Sequence, residues 1–173
     1  MRFRMDTDAN KNLEPWKQDM LQQAINWTAA AAELVPQPPA LAPVTVAQFL
    51  LESGWGQHDA GGAKNYFGIK ARETEPFVMV PTHEYVGGRY ITVMAKFKKY
   101  ESAVESFIDH AKLITTRKSS GTNRFIYAKA LAHPNDPIAF ANALTGVYAT
   151  DPEYGSTLTA VMKSRGLLKT FGY

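Results

Sequence analysis

The sequence of 173 residues contains no cysteine. This absence excludes disulfide scaffolds, thiolate zinc sites and cysteine nucleophiles, so any chemistry must use oxygen or nitrogen groups. Long apolar runs are also missing, since the longest stretch before a charge, Asn26–Ala32, is mostly alanine and far too short to span a bilayer. The sequence therefore predicts no stable membrane insertion.

A strong excess of charge of one sign is missing as well. The chain has 19 Lys and Arg against 16 Asp and Glu, a formal net charge of +3. The positive charge is concentrated between Arg89 and Lys129, where nine basic residues accompany three acidic ones. This stretch is either an ordinary solvated helical face or a surface for a polyanion. Nucleic acid is not expected as the polyanion, because no glycine-rich loop, zinc finger or aromatic-basic RNA motif accompanies the charge.

Hydrophobic spacing predicts a mostly helical α+β fold with one small β-hairpin lobe. The segment from Phe77 to Phe97 is rich in strand formers around Gly87-Gly88, which predicts a sheet of two or three strands with a turn at the glycines. Helices are predicted over Leu13–Val35, Val44–Ser53, Tyr100–Ile114, Arg124–Ala132 and Asp136–Thr145, and from Thr150–Glu153 to just before Gly166.

The segment Pro36–Pro43 contains four prolines and cannot be helical throughout. We expect it to be a stiff connector. It divides the chain into an N-terminal helix with its connector, residues 1–43, and a domain of residues 44–173.

Glu52 is the first candidate for chemistry. It lies at the end of an apolar helix, beside Trp55 and just before a glycine-rich loop. Partial burial and the negative end of the helix dipole both raise the pKa of a carboxyl group, which keeps a proton available to a general acid. The alternative is a solvated glutamate at a helix end.

Five segments carry a resemblance in the same order as in a known family. They are Leu51-Glu52-Ser53-Gly54-Trp55-Gly56, Asn65-Tyr66-Phe67-Gly68-Ile69-Lys70-Ala71, Thr82-His83-Glu84-Tyr85-Val86-Gly87-Gly88, Phe97-Lys98-Lys99-Tyr100-Glu101-Ser102 and Tyr148-Ala149-Thr150-Asp151-Pro152-Glu153-Tyr154. The set resembles the bacterial glucosaminidase family, glycoside hydrolase family 73, which includes the peptidoglycan-cutting domain of the flagellar rod protein, autolysins and phage lysins. The resemblance implies a lysozyme-like helical domain with a β-hairpin lobe.

The resemblance also implies roles for individual residues. Glu52 matches the general acid, Glu84 a second carboxylate that activates water, and Tyr148 a tyrosine that orients the substrate's acetamido group. The residues expected to bind substrate are Ser53, Trp55, Asn65, Phe67, Gly68, Tyr85 and Tyr154. For Trp55, Phe67 and Tyr154, core packing is an equally good interpretation.

Glycoside hydrolysis needs a proton donor and a second group at the reaction centre. Carboxyl groups about 5 Å apart would allow a retaining route, and roughly 6.5 to 9.5 Å would leave room for an inverting water. A larger separation would favour participation by the substrate's own N-acetyl group. The sequence leaves these three routes open.

The function implied is hydrolysis of the glycan strand of peptidoglycan by an endo-β-N-acetylglucosaminidase without metal or cofactor. The four histidines show no ligand spacing and no serine lies in a nucleophile elbow. The alternatives are an N-acetylmuramidase or lytic transglycosylase, or a non-catalytic wall-binding module.

The expected partners are peptidoglycan glycan strands and an anionic cell envelope, and we expect a monomer. Residues Met1–Asp6 show no secretory signal. Action in the periplasm or at the cell wall would then fit a phage lysin, a secreted effector or a sequence trimmed of its signal.

Overall fold

We describe the fold from a computed structural model, which describes residues 2–173 except for the side chain of Tyr85. The mostly helical α+β fold predicted from the sequence is confirmed. In chain order the elements are α1 (Thr7–Asn10), α2 (Pro15–Leu34), α3 (Leu41–Glu52), β1 (Phe77–Val86), β2 (Arg89–Lys98), α4 (Ala103–Thr116), α5 (Ala128–Leu131), α6 (Pro137–Ala143), α7 (Tyr154–Ser164) and α8 (Leu167–Thr170).

Helix α3 is the centre of the molecule. Every residue from 43 to 50 is buried, which is typical of a helix surrounded by other elements. It begins at Leu41, earlier than predicted, because Pro43 falls in the first turn, where a missing N–H costs no helical hydrogen bond. It ends at Glu52, as predicted.

Helix α2 packs into the same core as α3. Its residues Leu21 and Ile25 are fully buried. The ring of Trp27 lies 6.1 Å from that of Phe49 and 5.5 Å from that of Phe107. The N-terminal helix therefore shares its core with the rest of the chain, and a boundary at residue 43 stays a prediction.

Helix α7 begins where it passes very close to α6. A Cβ atom at Gly155 would lie only 2.6 Å from the Cα atom of Asn142, so a larger residue would push the helices apart. The amide of Gly155 also donates to the hydroxyl of Thr145 at 3.0 Å. This contact fixes the first turn of α7, whose first residue is Tyr154.

The two strands form one antiparallel hairpin. Their register runs from Phe77 opposite Lys98 to Val86 opposite Arg89, and Gly87-Gly88 makes the turn with φ of +58° and +82°. Positive φ at both turn positions favours glycine, as the sequence predicted. The sheet has two strands among the described residues, so the three-stranded alternative is not found.

Two short helices, α1 and α8, were not predicted because four residues show no hydrophobic period. They are joined through Asp6, whose carboxylate caps α1 and lies 3.4 Å from Lys169 Nζ.

Helix α5 is shorter than predicted because Ile126 N donates to Arg117 O at 2.9 Å, which takes that segment out of the helix. None of the helices in residues 2–173 is both long and apolar enough to cross a membrane.

Candidate active site

Glu52 is the last residue of α3, and the chain turns sharply after it. Gly54, Trp55 and Gly56 all have positive φ, at +53°, +62° and +78°. This left-handed turn is costly for tryptophan, whose Cβ crowds the backbone there. It ends the helix abruptly and leaves the Glu52 side chain exposed to solvent.

A chain of three hydrogen bonds ends on the Glu52 carboxylate. Tyr154 donates its hydroxyl to Glu52 Oε1 at 2.7 Å. The same hydroxyl accepts a hydrogen bond from Gln48 Nε2 at 3.0 Å. Gln48 Oε1 in turn lies 2.9 Å from His110 Nε2. An amide oxygen can only accept, so His110 carries its proton on Nε2, and every donor in the chain points toward Glu52.

His110 is fully buried, and its ring stacks on Phe67 at 4.1 Å. Burial lowers the pKa of His110 to about 3, so the imidazole is neutral near pH 7. Its Nδ1 atom is buried without a hydrogen-bond partner among the described residues. An unprotonated Nδ1 fits this position, because an unpaired N–H would cost more than an unpaired acceptor.

The pKa of Glu52 is raised above its ordinary value. Desolvation by the surrounding protein is the larger cause, and the hydrogen bond from Tyr154 acts in the opposite direction. The side chain keeps access to solvent while its neighbours remove part of its hydration. A raised pKa increases the protonated fraction near neutral pH, as a general acid requires.

Tyr148 lies beside this hydrogen-bonded cluster of Glu52, Tyr154, Gln48 and His110. Its ring stacks nearly parallel to that of Tyr154, with centroids 5.8 Å apart and planes 9° apart. Its hydroxyl donates to the carbonyl of Phe67 at 3.3 Å. Burial, with a further contribution from the charge of Glu52, raises the pKa of Tyr148, so the phenol stays protonated. Of the predicted site residues, the structure thus brings Glu52, Tyr148, Tyr154 and the backbone of Phe67 together.

Asn65 and Gly68 shape the loop that carries Phe67. The amide group of Asn65 donates to Ile69 O at 2.8 Å and to Lys98 O at 2.9 Å, while its oxygen accepts from Ile69 N at 3.0 Å. Gly68 has a φ of +66°. Asn65 is buried, so it ties the loop to the base of the hairpin instead of presenting its amide to solvent.

Ser53 and Trp55 also face the protein. Ser53 is fully buried, donates to Phe49 O at 2.6 Å and accepts from Gly56 N at 2.8 Å. Cations lie near the Trp55 ring, with Lys17 Nζ at 5.8 Å and the Arg165 guanidinium at 5.7 Å from its centroid. These contacts give both residues a part in holding the left-handed turn, and substrate contact by them stays a prediction.

The hairpin residues lie apart from the helical cluster. Glu84 is exposed in β1 opposite Ile91, roughly 20 Å along the strand from Phe77. No hydrogen bond or ion pair joins Glu84 to the helices within the described part of the chain. The side chain of Tyr85 lies outside the described residues.

Gln48 and His110 are site residues that the sequence reasoning missed. Gln48 precedes Glu52 by four positions and therefore shares its helical face. An amide on an otherwise apolar helix at that spacing could have indicated it. His110 follows Phe107 on the buried stripe of α4, and only its proximity to Gln48 in the fold reveals its role.

No group of three His, Asp or Glu side chains that could hold a metal ion occurs within the described residues.

A glucosaminidase family model, described as mannosyl-glycoprotein endo-beta-N-acetylglucosaminidase, matches residues 28–167. The chain belongs to the glucosaminidase family. The matched range includes Gln48, Glu52, His110, Tyr148 and Tyr154, so all members of the cluster lie within the family domain.

Two curated relatives are similar to this chain over most of its length. Exo-glucosaminidase LytG of Bacillus subtilis is 35% identical over 125 residues, covering 72% of this chain and 44% of the relative. A probable N-acetylmuramidase of Lactococcus lactis is 36% identical over 164 residues, covering 88% of this chain and 37% of the relative. The chain thus spans less than half the length of these relatives.

Two solved structures agree with the family assignment. The catalytic domain of the autolysin Auto from Listeria monocytogenes has a TM-score of 0.76 and 28% identity, with 94% of this chain and 93% of that chain covered. The glycoside hydrolase domain of FlgJ from Salmonella typhimurium has a TM-score of 0.63 and 31% identity, with 88% and 97% covered. The glucosaminidase fold implied by the resemblance, lysozyme-like with a hairpin lobe, is therefore confirmed.

Proposed function

We propose that this glucosaminidase domain hydrolyses the glycan strand of peptidoglycan as an endo-β-N-acetylglucosaminidase, with Glu52 as the general acid. The single observation that carries the proposal is the Glu52 carboxylate, exposed to solvent, partly desolvated and held by the Tyr154 hydroxyl at 2.7 Å. A fixed carboxyl group of raised pKa is what protonation of a glycosidic oxygen requires.

In the proposed reaction, Glu52 gives its proton to the glycosidic oxygen as the bond to the anomeric carbon breaks. Water then supplies a hydroxyl group to that carbon, and its remaining proton restores the enzyme. The neutral phenol of Tyr148 lies beside this centre and would orient the acetamido group, while Glu84 would activate the water when the hairpin closes over the substrate. The exposed position of Glu84 near the hairpin tip is compatible with such a movement.

The proposal leaves a second candidate for the glycosidic bond that the domain cuts. One relative is named an exo-glucosaminidase, and another is named a probable N-acetylmuramidase. Mass spectrometry of the digested peptidoglycan separates glucosaminidase, muramidase and lytic transglycosylase activity by the sugar at the new end. Reducing-end N-acetylglucosamine supports the glucosaminidase, reducing muramic acid supports the muramidase, and anhydro-muramic ends support a lytic transglycosylase.

Glu52→Gln tests the acid, because the amide keeps the shape and can still accept from Tyr154 but has no acidic proton. We expect lysis of purified cell walls to be lost while binding to those walls is retained. Wild-type lysis by this variant would overturn the assignment of Glu52. Absence of lysis by the wild-type domain, with binding intact, would instead favour a wall-binding module.

The proposed place of action is the cell wall, and the proposed working form is a monomer. An anionic envelope would attract the basic stretch that the sequence shows between Arg89 and Lys129. Exposed charges are screened by salt, so association with walls should weaken between low and moderate ionic strength.

A further inference from the structure

A basic groove of about 660 Å³ lies between the base of the hairpin, helix α4 and the segment that follows it. Six cationic side chains line it, with two acidic ones. The cations are Lys70, Arg72, Lys98, Lys112, Arg117 and Lys118. The candidate acid Glu52 is not part of its lining, so this groove is a feature separate from the cluster described above.

Both acids of the basic groove are already engaged. Lys98 Nζ lies 3.1 Å from the Glu75 carboxylate and 3.0 Å from that of Asp109. Asp109 also accepts the Tyr100 hydroxyl at 2.6 Å, and Glu75 accepts from Arg72 N at 2.8 Å. Lys98 and the two carboxylates together carry one negative charge, so the six cations and two acids leave the groove lining with a net charge of +4.

The other five cations of the basic groove are exposed. Within the described residues, none of them lies in an ion pair of 4.0 Å or less. Lys118 Nζ lies 5.1 Å above the ring of Phe125, which holds its ammonium group without neutralising it. A concave surface with several unneutralised cations concentrates positive potential and favours an anion with more than one charge.

The basic groove adjoins the candidate active site along the chain. Ile69 and Lys70 line it and directly follow the Phe67-Gly68 pair, whose Phe67 carbonyl accepts the Tyr148 hydroxyl. On the other side Ile126 lines it, next to Tyr127, whose ring lies 6.1 Å from that of Tyr148. A ligand in the groove would therefore lie beside a glycan strand bound at Tyr148.

We propose that the basic groove binds the carboxylates of the peptide chains carried by the glycan strand that is being cut. This inference rests on the proposed function, since it names the part of peptidoglycan that the groove would recognise. The peptides branch from the sugars themselves, so their carboxylates lie close to a glycan strand and can reach a groove beside the reaction centre. The domain should accordingly prefer strands that carry peptides over bare glycan.

The test uses soluble glycan strands in two forms, with their peptides and after removal of the peptides by an amidase. The variant Lys112→Gln/Arg117→Gln removes two charges from the basic groove. Lys129→Gln/Lys163→Gln is the matched control, because it lowers the net charge equally at exposed positions that do not line the groove. The kcat and KM values come from chromatography of the products, and thermal unfolding checks that both variants fold.

We expect the groove variant to raise KM on peptide-bearing strands by about three- to tenfold, with kcat nearly unchanged. This is the size of effect expected from losing two exposed ion pairs between the groove and the peptide carboxylates. On bare glycan neither variant should differ from wild type. Equal KM values for the groove and control variants on peptide-bearing strands would overturn the inference, as would an equal rise in KM for the groove variant on bare glycan. If the wild-type domain cuts neither form, the proposed function itself fails, which is a different outcome.

Discussion

The hydroxyl of Tyr154 donates to the carboxylate of Glu52 across 102 positions of sequence, at 2.7 Å. The bond joins the last residue of α3 to the first residue of α7. Gly155 allows α7 to approach α6 closely at that point. The orientation of the candidate acid therefore depends on how three helices pack, and not only on the local sequence around Glu52.

Tyr154→Phe removes this donor and keeps the ring. The hydrogen bond lowers the pKa of Glu52, so its loss should raise that pKa further and move the alkaline limb of the pH profile of kcat/KM to higher pH. A stability loss of about 1 kcal/mol should accompany it. Tyr100→Phe is the matched control, because it removes a hydroxyl that donates to Asp109. An unmoved alkaline limb in Tyr154→Phe would contradict the role given to this bond.

Glu52→Gln should stabilise the protein at neutral pH while abolishing activity. Because desolvation raises the folded-state pKa of Glu52 above its ordinary value of 4.5, the native state binds more protons than the unfolded state between those two values. Stability contributed by this group therefore falls as pH rises through that window. Denaturant unfolding should show the variant to be more stable at pH 7, with the difference shrinking as pH falls toward 4.5. Glu73→Gln, at an exposed loop position, should not reproduce the effect.

The hairpin and the ends of α2, α3 and α7 could be predicted because each has a strong local signal. Gly87-Gly88 marks the turn, and Gly54 lies two positions after Glu52, the last residue of α3. The same reasoning failed at Arg124–Ile126, where apolar spacing suggests a helix. Pairing of Ile126 with Arg117 overrides it, and that partner is distant in sequence.

At the candidate site, residue types could be predicted better than their contacts. The resemblance predicts Glu52, Tyr148 and Tyr154 as site residues, and the structure brings these three together. It could not show that Ser53 has its hydroxyl bonded inside the protein, or that His110 completes a buried chain from another helix. Such contacts depend on tertiary packing, which no spacing along one element encodes.

Gln48→Leu should destabilise the protein by about 1–3 kcal/mol, because it leaves the Nε2–H of His110 buried without an acceptor. The expected result in denaturant unfolding is a lower midpoint with an unchanged slope. The double variant Gln48→Leu/His110→Phe removes both polar partners and should recover part of the loss. A double variant whose loss equals the sum of the two single losses would show that the pair is not coupled.

His110 should limit stability in acid. Its folded-state pKa of about 3 lies below the ordinary value of 6.5, so the unfolded state binds more protons between these values. Stability contributed by the neutral buried ring is complete above about pH 6.5 and is lost as pH falls toward 3, by at most about 1.4 kcal/mol per pH unit. His110→Gln should flatten this slope in unfolding measurements from pH 7 to 4. His133→Gln, at an exposed position, should leave the slope as in wild type.

Glu84→Gln tests the second carboxylate. If Glu84 activates water after hairpin closure, the variant should lose kcat by about 100-fold or more, with KM little changed. Because Glu84 is exposed and outside the core, its stability should stay within about 0.5 kcal/mol of wild type. His83→Gln is the control, since adjacent strand residues point to opposite faces of the hairpin. A Glu84→Gln variant with wild-type kcat would exclude the hairpin carboxylate and favour attack by the substrate's own N-acetyl group, with Tyr148 holding it in position.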